Sequence, residues 1–121
     1  MHLFQRQVIQ GNTVITLEIQ SLDATNAERM TQNLAVAMRG EDRVVVDLGA
    51  LQYFDVSGFA AILKWATGGQ EWPDVRLCSQ SGTIQALFEL LGANTVIPLF
   101  QSREEAIASF GRFTMSQHAG V

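Results

Sequence analysis

The segment from Val44 to Ala66 constrains the fold more than any other part of the chain. It begins with a run of strand formers that ends at Asp47, and an uninterrupted apolar strand is typical of a parallel sheet buried on both faces. After a short loop, Asp55 precedes a stretch with apolar residues at helical spacing. These residues are Phe59, Ile62, Leu63 and Ala66. We therefore expect a buried strand, a loop and a capped helix in succession.

The flanking segments predict strands and helices in the order ββαβαβαβα, which is typical of an α/β layer with a mixed sheet. The expected strands are 3–10 and 13–22, joined in a hairpin at Gly11-Asn12, then 43–48, 75–79 and 96–99. Asn26 or Thr25 is expected to cap the first helix, and the other helices are expected to begin at Val56, Thr83 and Ser102. The four helices are expected to end near Arg39, Gly68, Leu91 and Phe110. No internal repeat interrupts this order, so the pattern favours one domain.

The composition excludes several classes of function. The formal net charge is −4 and the basic residues are scattered, so we expect neither a nucleic-acid surface nor an anionic-membrane surface. No apolar run approaches the roughly 20 residues of a membrane span. The single cysteine, Cys78, permits no internal disulfide and suits a reducing compartment. We expect a cytoplasmic domain in residues 1–113 and a flexible tail in residues 114–121.

Ser57 is the residue best placed to carry chemistry. It stands two residues after the capping Asp55, so its hydroxyl is expected at the positive end of a helix, where free N–H groups and the helix dipole favour a phosphate. No nucleotide-binding glycine loop, metal-ligand spacing or serine-hydrolase motif accompanies it. We therefore expect a protein that is modified at Ser57 but is not itself an enzyme, with no metal and no cofactor.

Four segments, taken in order, resemble the STAS domain family (sulfate transporter and anti-sigma factor antagonist). Residues 21–27 (SLDATNA) resemble its turn into the first helix, and residues 44–48 (VVVDL) its central strand. Residues 54–58 (FDVSG) resemble its phosphorylation loop, and residues 102–106 (SREEA) the start of its last helix. The resemblance spans about residues 3–110. It implies a single-domain α/β fold, with a β-hairpin followed by alternating helices and strands, a mixed sheet and about four helices.

The resemblance also implies a function. In bacterial anti-sigma factor antagonists the residue before the loop glycine is phosphorylated, which here is Ser57. The family usually has Ser or Thr where this chain has Val56, so a second acceptor is absent. The unphosphorylated protein is expected to bind an anti-sigma factor with a GHKL-type serine kinase fold. That partner would phosphorylate Ser57 with its own ATP and Mg²⁺, and a PP2C-type phosphatase would remove the phosphate.

The candidate partner-binding surface surrounds this loop. Its members are Asp23, Tyr53, Asp55, Val56, Ser57, Gly58 and Phe59. Asp23 ends the second strand run, so we expect it at the same sheet edge as the loop, although it could instead cap the first helix. Tyr53 is either a core residue or a partly exposed docking aromatic. Gly58 most simply allows a close approach between two backbone segments.

Three other functions stay open at this point. The chain could be a STAS regulatory subunit of a transporter complex, or a regulator of biofilm formation or secretion that acts on a target other than a sigma-factor pathway. A small enzyme is the third, and the absence of a base or a nucleotide loop beside Ser57 disfavours it.

Overall fold

The computed structural model describes residues 3–69 and 71–119, with side chains through residue 111. The strands are β1 (Phe4–Ile9), β2 (Asn12–Leu17), β3 (Ser21–Leu22), β4 (Arg43–Asp47), β5 (Tyr53–Phe54), β6 (Asp74–Cys78) and β7 (Leu99–Phe100). The helices are α1 (Ala27–Ala37), α2 (Val56–Thr67), α3 (Gly82–Leu90) and α4 (Arg103–Ala119), with a short 3-10 helix at Ala93–Thr95.

The main sheet has five strands in the order β1-β2-β4-β6-β7. The β1–β2 pair is antiparallel, and the other three pairs are parallel, so the predicted mixed α/β fold is confirmed. The hairpin turn lies one residue earlier than predicted, at Gln10-Gly11, because both residues have positive φ angles, 52° and 79°. A two-residue turn of this kind matches the right-handed twist of the strands that it joins.

The central strand β4 is buried on both faces, as predicted. Val44 and Val46 face a large core that α1, α2 and α3 cover, whereas Val45 faces a smaller core that includes Ala106 and Phe110 of α4. The three helices therefore lie on one face of the sheet and α4 on the other. This division explains why β4 has no polar residue between its ends.

Two side-chain clusters hold α4 against the sheet. Arg103, at its first residue, donates to Asp47 Oδ2 at 2.7 Å and to Thr16 Oγ1 at 2.9 Å. Further along α4, the Arg76 guanidinium lies 4.6 Å from the centroid of the Phe110 ring, a cation–π geometry. Arginine at a helix N-terminus opposes the helix dipole, and the Asp47 carboxylate offsets that cost.

The second strand run, predicted over residues 13–22, is divided in the structure. β2 ends at Leu17, and Ser21–Leu22 pairs instead with Tyr53–Phe54 in a separate two-stranded parallel sheet. The backbone changes partner at Gln20, whose carbonyl accepts from the N–H groups of Gln52 and Tyr53. Alternating polarity is the same whichever strand is the partner, so the sequence pattern could not show this exchange.

Two further boundaries differ from the prediction. The strand expected over residues 96–99 is instead Leu99–Phe100. The N–H groups of Val96 and Ile97 both donate to the Ala93 carbonyl, so they are not available to pair with a neighbouring strand. The last helix, expected to end near Phe110, continues to Ala119. A helix satisfies its own backbone hydrogen bonds without an apolar stripe, so missing periodicity does not end it. Gly120 and Val121 lie outside the described residues, and the domain boundary at residue 113 stays a prediction.

Candidate functional site around Ser57

Helix α2 begins with the cap that the sequence predicts. Asp55 has an extended backbone, and its Oδ1 accepts from the Gly58 N–H at 2.9 Å. This bond satisfies one of the N–H groups that a helix start leaves without an intrahelical partner. Ser57 is exposed and lies in the first turn. Its hydroxyl is therefore open to solvent at the positive end of the helix dipole.

Asp55 also connects α2 to the turn that follows β3. Its Oδ2 accepts from the Ala24 N–H at 3.3 Å, and its own N–H donates to the Leu22 carbonyl at 3.3 Å. The small β3–β5 sheet thus places the turn after Leu22 directly beside the start of α2. Asp23 and Asp55 come to the same edge of the molecule, as predicted, although the small sheet and not the main one brings them together.

Asp23 acts inside its own turn. Its Oδ1 accepts from the backbone N–H of Thr25 at 2.9 Å and from the Thr25 hydroxyl. These hydrogen bonds, the hydroxyl bond first, lower the pKa of Asp23 below its ordinary value, because they favour the charged carboxylate. The alternative cap role falls to its backbone, since the Asp23 carbonyl accepts from the Ala27 N–H at 2.8 Å.

Asn26 is a positioning residue of this turn, although the sequence predicts it only as a helix cap. It occupies the N-cap position of α1 but makes no side-chain cap hydrogen bond. Its Oδ1 accepts from the Asp23 N–H at 2.9 Å, and its Nδ2 donates to the Ser21 carbonyl at 2.9 Å. The turn is therefore fixed by side-chain hydrogen bonds at both ends. An Asp-x-x-Asn spacing after a strand is the signal that could have indicated it.

Gly58 is buried where α2 crosses the end of β3. A Cβ at this position would lie 2.0 Å from the Leu22 carbonyl oxygen and 2.9 Å from the Phe54 Cβ. The close backbone approach expected from the sequence is therefore present. Only glycine fits here without moving α2 away from the small sheet.

The apolar candidates differ in how much surface they offer. Val56 is 86% exposed and Tyr53 is 55% exposed, whereas Phe54 is buried. Phe59 is half-buried, and its ring stacks on Phe54 with 5.7 Å between the centroids. Val56 and Tyr53 are therefore the candidate side chains most available to a partner, and much of Phe59 already packs in the core.

A groove between α1 and α2, which the sequence pattern does not predict, opens beside Ser57. Its volume is about 510 Å³. Ser57 lines one wall, and the other lining residues are Ala24, Ala27, Glu28, Thr31, Gln32, Ala60, Ala61 and Lys64. The sequence feature that could have indicated the groove is the four alanines on two facing segments, because small side chains leave space between helices.

The described residues around Ser57 do not engage its hydroxyl. Neither hydrogen bonds nor ion pairs join its side chain to another described residue, and both carboxylate oxygens of Asp55 already accept backbone N–H groups. Within the described part of the chain, no group of three or more His, Cys, Asp or Glu residues could hold a metal ion. The same residues contain no helix both long and apolar enough to cross a membrane.

Comparison with known proteins agrees with this fold. The STAS domain family model matches residues 4–106, so the chain belongs to the STAS domain family, and several of the proteins that it resembles are named anti-sigma factor antagonists. A Bordetella bronchiseptica protein named "Putative anti-sigma factor antagonist BtrV" is 34% identical over 91 residues. That alignment covers 74% of this chain and 78% of the relative.

Solved structures share the fold at low sequence identity. An anti-sigma factor antagonist from Mycobacterium paratuberculosis is similar at a TM-score of 0.70 and 16% identity, with 88% of this chain and 91% of that one covered. SpoIIAA, a Bacillus cell fate determinant, has been solved in unphosphorylated and phosphorylated forms. The unphosphorylated form is similar at a TM-score of 0.60 and 22% identity, with 88% and 95% covered.

Proposed function

We propose that this protein is a phosphorylation-controlled binding switch in which Ser57 is the phosphoacceptor. The observation that carries the proposal is an exposed serine in the first turn of α2, held by a cap from Asp55 and free of bonds to other side chains among the described residues. A phosphate there would face the positive end of the helix dipole. The existence of a phosphorylated form of SpoIIAA supports the same chemistry in this fold.

The partner that we propose is an anti-sigma factor with a GHKL-type serine kinase fold. The antagonist class of the relatives supports an anti-sigma factor as the binding target. Unphosphorylated, the chain would bind this partner and release the sigma factor that the partner holds. The partner would supply ATP and Mg²⁺ for phosphorylation of Ser57, and a PP2C-type phosphatase would reverse it. No catalytic step is assigned to this chain, which would act in the cytoplasm, where such partners bind ATP.

Phosphorylation would act at the interface and leave the fold in place. It adds about −1.5 to −2 charges at neutral pH. The start of α2 tolerates that charge, because its free N–H groups face it. Asp23 carries a carboxylate on the same edge, and the exposed Val56 side chain adjoins Ser57. A partner surface that fits this apolar and acidic edge would repel the phosphate or leave it poorly solvated, so binding should weaken.

The acceptor assignment is tested by phosphorylation and mass spectrometry. The GHKL-type anti-sigma factors of the source organism would each be incubated with the protein, ATP and Mg²⁺. We expect one added phosphate, mapped to Ser57 and absent from Ser57→Ala. Modification of Thr67 or Ser81 with Ser57 unmodified would overturn the assignment.

The switch is tested by titration calorimetry with the same kinases. Ser57→Ala should bind as the wild type does, and Ser57→Asp should bind at least roughly tenfold more weakly, which corresponds to about 1.4 kcal/mol. The phosphoprotein should bind more weakly still. Both variants should keep the melting temperature of the wild type, because Ser57 is exposed. A phosphoprotein that binds as tightly as the unmodified chain would refute the switch.

STAS domains also occur in transporters, and this supports a second candidate function as a regulatory subunit of a transporter complex. The same edge around Ser57 would then dock onto a transporter protein. Copurification of the tagged chain with a transporter, and not with a kinase, would favour it. A regulator of biofilm formation or secretion would bind a kinase in the same way, so the downstream target of that kinase distinguishes it.

A further inference from the structure

We infer that the groove between α1 and α2 is a second docking element for the kinase-type partner, and that it receives an apolar side chain of that partner. The inference rests on the proposed function, because the partner that phosphorylates Ser57 is the molecule that would fill the groove. Ser57 itself lines the groove wall. A kinase that brings the phosphate of ATP to this hydroxyl must place its own surface over the adjacent opening, so the groove is continuous with the phosphorylation site.

Part of the groove lining is apolar, and the Ser57 hydroxyl and the exposed Gln32 amide line the groove as well. Four alanines line it, two from the α1 side and two from α2, namely Ala24, Ala27, Ala60 and Ala61. The Thr31 hydroxyl accepts from Trp65 Nε1 at 2.9 Å and donates to the Ala27 carbonyl at 2.8 Å, so its donor and one acceptor site are used inside the fold. A polar side chain packed against these alanines would lose its water without gaining a hydrogen-bond partner from their side chains, which disfavours it there.

Two opposite charges flank these alanines. Glu28 of α1 and Lys64 of α2 are exposed, and within the described residues neither forms an ion pair or a hydrogen bond. The occupant that fits is therefore an apolar side chain on a partner segment with a basic residue facing Glu28 and an acidic residue facing Lys64. Such complementary charges set orientation and association rate more than affinity.

The test fills the groove without touching Ser57. Ala60 is exposed and lines the groove, so Ala60→Phe should occupy the space that the partner needs. Ala86→Phe is the matched control, because Ala86 is also exposed on a helix but lies on α3, outside the groove. The probes are the GHKL-type anti-sigma factors of the source organism, titrated by calorimetry against each variant.

We expect Ala60→Phe to weaken binding at least tenfold and to slow phosphorylation of Ser57, and Ala86→Phe to bind within twofold of the wild type. Melting curves should be alike for all three proteins. If Ala60→Phe lowers the melting temperature, Lys64→Glu replaces it, since this exposed side chain forms no ion pair or hydrogen bond with another described residue. That variant should bind more slowly, with the largest loss at low salt.

Two outcomes separate this inference from the proposed function. If Ser57→Asp weakens binding but Ala60→Phe and Lys64→Glu both bind as the wild type does, the groove is not a docking element and the switch stands. If the wild type binds none of the kinases, the switch is refuted and the groove assignment is refuted with it.

Discussion

Replacing Gly58 by alanine sets two physical effects against each other. Gly58 lies inside the first turn of α2, where alanine has the higher helix propensity and would by itself stabilise the protein by about 1 kcal/mol. Against this, the new methyl would lie 2.0 Å from the Leu22 carbonyl oxygen and 2.8 Å from its carbonyl carbon. Optimal contacts between carbon atoms are about 3.5 to 4.0 Å, so the overlap is more than a side-chain adjustment can relieve.

The atoms in the way are backbone, so relief requires α2 and β3 to separate. Overpacking of this kind costs typically about 1–3 kcal/mol, and the upper end applies when the neighbour cannot rotate aside. The separation would also stretch the hydrogen bonds from Asp55 N–H to Leu22 and from Ala24 N–H to Asp55. After subtracting the propensity gain we expect a net loss of about 2 kcal/mol, which lowers the melting temperature by about 8 °C in a domain of this size.

Urea unfolding followed by circular dichroism measures this loss directly. Gly82→Ala and Gly111→Ala are the matched controls, because both glycines lie in helices and a Cβ at either would meet nothing within 4 Å. We expect the controls to be as stable as the wild type or up to about 1 kcal/mol more stable. A Gly58→Ala protein with the stability of these controls would show that the backbone approach is not rigid, and the reasoning about the α2–β3 junction would be wrong.

Two more predictions concern the cap and the thiol. Asp55→Ala should lower the free energy of unfolding by about 1 kcal/mol in urea melts, because the Gly58 N–H loses its acceptor. Asp55→Asn should lower it by only a few tenths of a kcal/mol. Equal stability of the two variants would contradict the cap. Burial first, and the Asp47 carboxylate second, raise the pKa of Cys78 to about 12, so its thiol should resist alkylation at pH 8 until the protein is unfolded. The unfolded thiol ionises first, so this group should reduce stability as pH rises above about 9, by about 1.4 kcal/mol per pH unit, and Cys78→Ala should lack that component.

The sequence predicts those elements whose hydrophobic pattern fits a single type of secondary structure and whose contacts are local or on one known face. β4 reads as doubly buried because Val44, Val45 and Val46 are apolar without interruption, and both cores in the structure need them. The start of α2 is equally local, because Asp55 and Gly58 form their hydrogen bond within four residues. In both cases neighbouring residues alone decide the geometry, so the pattern carries enough information.

The small β3–β5 sheet depends on contacts between distant segments and was not predicted. Ser21 pairs with Tyr53, and the side-chain alternation before Ser21 continues as though the strand stayed in the main sheet. The groove beside Ser57 is a similar case, because a space between two helices is a property of their separation. The alanines that line it would equally suit two helices in close contact.

The residues around the site fall into two groups: some hold its backbone in place, and others are exposed to a partner. Asp55, Gly58 and Asn26 hold α2, β3 and the turn after β3 together through hydrogen bonds and one close backbone approach. These three residues form the platform of the site. Ser57 and Val56 lie beside it, exposed and without side-chain hydrogen bonds among the described residues. Changes in the platform should therefore reduce stability and partner binding together. Changes at Ser57 should alter binding alone, which is the property that a reversible phosphorylation switch requires.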